Sequence, residues 1–279
     1  MPSPAALTTI TTATLAGGPR PNQDHVVVTD HAVAVLDGAS AFLPHDPTRD
    51  GGWYARTLGR ALAPLLVDDD RGLIDVVAEA IRDVAGTQQL TPGDSPSSTV
   101  TIARWTADVL EIYTLGDSPA AVYTTDGSVT VVYDPRLEAV AAEHRAAYRQ
   151  HLRSGAGYDQ QLRDLLADLQ RAERPHRNTP GGYWIAESDP AAAAHGKLER
   201  FRLDQVDAVL LLSDGASDAI TDYQLHDWPA ALDAIRRSPA GFHTRRQAAE
   251  EEDTDGARWP RAKRHDDKTL VLVERTALT

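Results

Sequence analysis

Two apolar runs end the same way. "VAVLDGAS" (33–40) closes on Asp37 and Gly38, and "AVLLLSDGASDAI" (208–220) closes on Ser213, Asp214 and Gly215. An Asp-Gly pair alone reads as a turn, because glycine tolerates positive φ and aspartate bonds its own backbone. The pair occurs at Asp37, Asp50, Asp126, Asp214 and Asp255, but only Asp37 and Asp214 terminate a β-like run. Two other runs begin at carboxylates: Asp24 in "RPNQDHVVV", and Asp266 with Asp267 in "RHDDKTLVLV". Strand exits and neighbouring strand entrances share an edge in antiparallel sheets, so these positions can converge. Packed carboxylates repel and raise one another's pKa, so such a cluster needs cations. Oxygen donors without histidine or cysteine suit Mg²⁺ or Mn²⁺ rather than zinc.

The surrounding elements must bring these residues together. "LTTITTATLAG" (7–17) is β-branched and reads as a strand; "HVVVTD" and "AVAVLDG" follow as a hairpin with "DH" at the turn. "WYARTLGRALAPLL" (53–66) and "GLIDVVAEAIRDVAG" (72–86) have helical spacing, and Gly86 is placed to cap the second. "STVTIARW", "VLEIYTLGDS" and "AAVYTTDGSVTVVYD" read as strands, with a hairpin turn at Asp126-Gly127. Asp134 to His176 is helical in two pieces joined by "SGAG". "KLERFRL", "VDAVLLLSDG" and "TLVLVER" are strands, and "DYQLHDWPAALDAIRR" (222–237) is a helix. The charged stretch 244–267 reads as a solvated helix followed by a loop. This order predicts an α+β fold with antiparallel sheets covered by helices.

Bulk properties narrow the function classes. The chain has 279 residues, no cysteine and a net charge of −13. The missing cysteines exclude disulfides, thiolate zinc sites and a cysteine nucleophile. The acidic balance disfavours nucleic acid as a partner. No apolar run is long enough to span a bilayer, and the N-terminal segment lacks the charged n-region of a secretory signal. A cytoplasmic protein is the expectation.

The ordered set "RPNQD", "VLDGAS", "SSTVTIARW", "LGDSPAAVY", "LLLSDGASDAI" and "HDDKTLVLV" resembles the metal-dependent serine/threonine phosphatases of the type 2C, or PPM, family, from Arg20 to Val273. That resemblance implies a sandwich of two antiparallel β-sheets flanked by α-helices. It implies one catalytic domain over 1–279, with a helical flap-like insert at about 134–182. It implies two Mg²⁺ or Mn²⁺ ions, with a third at a weaker place. Asp37 is then the bridging ligand, Asp214 and Asp266 hold one ion, and the Gly38 carbonyl faces the other. Asp24 acts in the outer shell, Asp117 of "GDS" helps with the third ion, and Arg20 binds the substrate phosphate through its planar fork. The implied chemistry is hydrolysis of phosphoserine or phosphothreonine in a phosphorylated protein by a metal-activated hydroxide.

The chain departs from the family pattern in four places. Ala39 stands where many relatives carry histidine or methionine, and Pro119 where arginine is frequent. Arg20 lies one residue closer to Asp24 than the pattern has it, and Asp267 replaces a common asparagine, leaving Asp266 or Asp267 as the ligand. Two other readings stay open: a non-catalytic metal- or phosphoprotein-binding member of the fold, and a hydrolase of small phosphate esters. His144 and His151 read as surface histidines, Tyr183 and Trp184 as a substrate loop beside the cleft or as aromatic anchors beneath the preceding helices, Ser97 and Ser98 as a strand start, and Ser213 as a turn residue.

Overall fold

The run Ala32–Leu36 is apolar at every position and wholly buried, which a strand tolerates only when both of its faces are covered. The covering layers explain the architecture. The computed structural model describes residues 7–43 and 46–275; the first six residues of the N-terminal segment therefore lie outside the described part.

In chain order the elements are β1 (Leu7–Leu15), β2 (Asp24–Val28), β3 (Ala32–Asp37), α1 (Gly51–Leu65), α2 (Leu73–Gln88), β4 (Val100–Trp105) and β5 (Val109–Leu115). Next come β6 (Ala120–Thr124), β7 (Val129–Val132), α3 (Arg136–Ala139), α4 (Ala142–Arg153), α5 (Gln160–Glu173), β8 (Lys197–Arg202) and β9 (Val206–Leu212). The chain continues with α6 (Asp214–Thr221), α7 (Trp228–Arg237), α8 (Pro239–Glu252) and β10 (Lys268–Arg275). The described strands form two antiparallel sheets, ordered β1-β10-β9-β6-β7 and β2-β3-β4-β5-β8.

Alternate residues of each central strand serve different layers. Val33 and Val35 of β3 meet Val209 and Leu211 of β9 between the sheets. Ala32, Ala34 and Leu36 face α1 and α2 on one outer side, and Ala208, Leu210 and Leu212 face α6, α7 and α8 on the other. Both sheets are thus sandwiched by helices, as the α+β reading expects. Helices α4 and α5 have their own small core of Tyr148, Leu152, Leu162, Leu166 and Leu169, joined by Phe42 and Ala262. Tyr183 and Trp184 are buried anchors, with Trp184 stacked on His195.

Four local expectations need correction. Helix α2 runs through Gly86 to Gln88, and Gln89 takes the left-handed turn at φ 54°. Ending there lets the Leu90 N–H reach the Ala85 carbonyl at 2.9 Å while its side chain packs on the core. The 222–237 helix starts only at Trp228, because Asp227 caps it and Pro229 fits its first turn. Ser213 is not a turn residue; it is the N-cap of α6, which opens at Asp214. Finally, the charged helix α8 is not solvated on every side: Phe242, His243, Arg246, Ala249 and Glu250 are buried. The charges on that buried face pair internally, Arg246 with Glu250 at 3.1 Å and Glu250 with Lys268 at 2.9 Å.

Candidate active site

The antiparallel register places the first pair of carboxylates. Asp24 begins β2 directly opposite Asp37, the last residue of β3. The second pair comes from the other sheet. Leu212 of β9 pairs with Leu270 of β10, so Asp214 just past β9 and Asp266 just before β10 share an end. Ser213 locks that end: its N–H donates to the Thr269 carbonyl and its Oγ accepts from the Thr269 N–H, both at 3.0 Å. Carboxylates from two sheets therefore gather at one rim.

Close backbone packing shapes this rim. A Cβ on Gly38 would lie 2.4 Å from the Gly51 carbonyl carbon, so glycines at both places let the start of α1 abut the exit of β3. Asp50 caps α1, accepting from the Trp53 N–H at 2.8 Å; "GGW" is a helix entrance. A Cβ on Gly215 would strike the Asp267 carbonyl oxygen at 2.0 Å, so α6 presses directly on the Asp266–Asp267 turn. Ser98 lies in the bridge that joins Gly38 and Ala186, and its Oγ donates to the Asp37 carbonyl at 2.9 Å.

The electrostatics match a crowded acidic site. Asp37 and Asp214 lie within hydrogen-bonding reach of each other. Two like charges adopt that spacing only with a shared proton or a cation between them. Burial, then the neighbouring Asp214 and Asp24, pushes the Asp37 carboxyl well above the ordinary range. Burial, reinforced by Asp266, also raises Asp214. Asp24 is pushed up to about 7, mainly by burial; the Thr269 and Ser213 hydroxyls partly offset it. Those hydroxyls do not complete hydrogen bonds of good geometry, so both Asp24 oxygens are buried and unpartnered. Asp117 is raised to about 7, first by burial and then by Asp214. The "GDS" loop joins the same end through the Leu212 N–H to Pro119 carbonyl bond at 3.1 Å.

The two carboxylates of "HDD" do different work. Asp267 accepts the Gly17 and Gln23 N–H groups, each at 2.8 Å, and so ties the β1–β2 connection to the start of β10. Asp266 accepts from the Lys263 ammonium at 2.6 Å. Burial alone would raise Asp266, but Lys263 and the Asp267 N–H outweigh it and hold the carboxyl below its usual value. Arg20 lies on the exposed β1–β2 connection, three residues before Gln23, and makes no ion pair among the described residues.

The donor chemistry fits hard divalent cations: clustered carboxylates, two of whose oxygens are orphaned at Asp24. Among the described residues, however, no group of three or more His, Asp or Glu side chains is spaced to hold an ion as it stands. Asp266 is turned toward Lys263, whose ammonium donates to it at 2.6 Å. Sequence reasoning missed Lys263, Arg246 and Glu250 because each sits in the stretch read as a wet face. It also missed Asp218, pushed up to about 8 by burial despite Arg246 at 3.2 Å. The one available signal was spacing: Arg246 and Glu250 are four apart on a helix, and Lys263 is three before Asp266.

A family model described as protein phosphatase 2C matches residues 17–250. The chain belongs to that family. Solved structures with the same fold include the serine/threonine phosphatase Stp1 from Staphylococcus aureus, 14% identical with a TM-score of 0.59, covering 98% of this chain and 97% of that one. The Ser-Thr phosphatase MsPP from Mycobacterium smegmatis, solved with cacodylate, is 20% identical with a TM-score of 0.56, covering 98% and 100%. The catalytic domain of the phosphatase PstP, solved with two manganese ions, is 18% identical with a TM-score of 0.54, covering 96% and 98%. No curated protein sequence matches the chain. No helix among the described residues is long and apolar enough to cross a membrane.

Proposed function

We propose that this chain is a Mg²⁺- or Mn²⁺-dependent phosphatase that hydrolyses phosphoserine and phosphothreonine in proteins. The observation that carries the reading is the approach of Asp37 and Asp214 from different sheets, with Asp24 and Asp266 beside them. Asp37, Asp214, Asp266 and the Gly38 carbonyl would hold two cations, and Asp117 would contribute to a third. Bound there, the cations would neutralise phosphate charge and supply a nucleophilic hydroxide at neutral pH.

The chain's own groups supply the rest. The unpartnered oxygens of Asp24 would accept hydrogen bonds from water and so fix its orientation at the rim. Asp267 is already occupied by two backbone N–H groups, which supports Asp266 as the ligand. Arg20, exposed at the same connection, is free to bind phosphate oxygens through two parallel donors. Ala39 offers no proton, so the departing alcohol would take one from water or from another group. We read the whole chain as one catalytic domain with the insert at 134–182 as its flap. The cysteine-free sequence suits a cytoplasmic setting.

The test is p-nitrophenyl phosphate hydrolysis with and without Mn²⁺, in the native chain and in Asp214→Asn. Turnover that requires Mn²⁺ and is lost in the variant supports the proposal; metal-independent turnover overturns it. Phosphopeptides then separate a protein substrate from a small ester. The second reading, a non-catalytic phosphoprotein-binding member, draws on Ala39 and on the Lys263–Asp266 pair. Metal binding without turnover would favour it.

A further inference from the structure

We infer that Lys263 is a resident counter-ion of the acidic rim, which a divalent cation must displace from Asp266 before the site can load. The inference rests on the metal-dependent reading above. Three observations lead to it.

First, the ammonium is aimed into the cluster. It donates to Asp266 at 2.6 Å, and it also feels Asp37 and Asp214. One positive charge thus sits at the edge of the cluster, bonded to one of its carboxylates. Second, the loop carrying it is tightly built. Arg261 donates to the Arg264, Trp259, Glu250 and Asp253 carbonyls and to the Asp253 carboxylate, at 2.8 to 3.0 Å. The Tyr158 hydroxyl donates to the Lys263 carbonyl at 3.3 Å. The backbone position of Lys263 is therefore fixed by the fold, and only its four-carbon stem is left to move. Third, Lys263 keeps 28% of its side chain exposed, so water gives the displaced ammonium somewhere to go. The nearby cations do not share its role. Lys268 is paired with Glu250, Asp266 carbonyl and Gln247, and Arg246 with Asp218 and Glu250.

The consequence is competition. A lysine in this place stabilises the ion-free rim and weakens its hold on Mg²⁺ or Mn²⁺. Neutralising it leaves the carboxylates unbalanced until a metal arrives.

Isothermal titration of Mn²⁺ into the full chain, alongside melting curves in EDTA and in Mn²⁺, tests this on Lys263→Met, which keeps the stem and drops the charge. The variant is expected to bind Mn²⁺ at least about tenfold more tightly. Its melting temperature in EDTA should fall, and the gain on adding Mn²⁺ should exceed that of the native chain. Lys263→Arg, which keeps the charge, should retain the native affinity and guards against a general folding defect. Native Mn²⁺ binding with equal or weaker binding by Lys263→Met overturns the competition but leaves the metal-dependent reading intact. No binding by native chain or variant overturns both.

Discussion

The site depends on single residues whose geometry leaves little latitude. Gly38 is one. A methyl group there meets the Gly51 backbone at 2.4 Å, and backbone cannot rotate away. Gly38→Ala should therefore destabilise the fold by roughly 1–3 kcal/mol and move the exit of β3. Urea unfolding and Mn²⁺-dependent turnover should both register the loss, whereas unchanged values in each would show that α1 can retreat freely. Glu250 is another. It is fully buried and accepts from Arg246, Lys268 and His265. Glu250→Ala strands buried cations and should cost about 3–5 kcal/mol, read as a lower urea midpoint. The gathering of Asp24, Asp37 and Asp214 at one rim was legible in the sequence because each lies within two residues of an apolar run. Lys263 and Glu250 were not, because a buried salt bridge and a solvated one use the same letters; only the partner across space distinguishes them.

Among the elements, the strands were the most legible. Apolar runs such as Ala32–Leu36 and Ala208–Leu212 have two covered faces, which leaves a continuous signal. Helix α6 was hidden because its eight residues begin Asp-Gly-Ala-Ser, letters that also make a turn. Helix α8 was misjudged because its inward face carries arginine and glutamate rather than leucine. The insert helices α4 and α5 showed their apolar spacing but not their attachment. Their core includes Ala262, and Tyr158 reaches the Lys263 carbonyl. Replacing the insert by a short loop should lower turnover of phosphoproteins more than that of p-nitrophenyl phosphate. Equal losses on the two substrates would show that the insert does not select substrates.

For the whole molecule, stability should depend on pH through a residue outside the acidic cluster. His243 is almost fully buried, with Nε2 3.1 Å from the Ala13 carbonyl and Nδ1 unpartnered. Burial pushes its pKa down to about 4, against about 6.5 in the unfolded chain. Between those values the unfolded chain binds a proton that the folded chain refuses. The contribution of this group is therefore complete above pH 6.5, falls by roughly 3 kcal/mol as pH approaches 4, and changes no further below that. Urea midpoints across that range should fall less steeply in His243→Leu than in the native chain; parallel curves would assign the pH dependence elsewhere. Divalent ions, if they bind the rim as proposed, would stabilise the fold, and a concentration of 100 times Kd should add about 2.7 kcal/mol.

The rim is also a seam. Asp24 and Asp37 travel with one sheet, while Asp214 and Asp266 travel with the other. Sliding one layer past its neighbour would pull the acids apart long before the valine-lined interior gave way. An ion seated between them would work like a rivet through two plates, stiffening the sandwich at the end where the chemistry is proposed to happen.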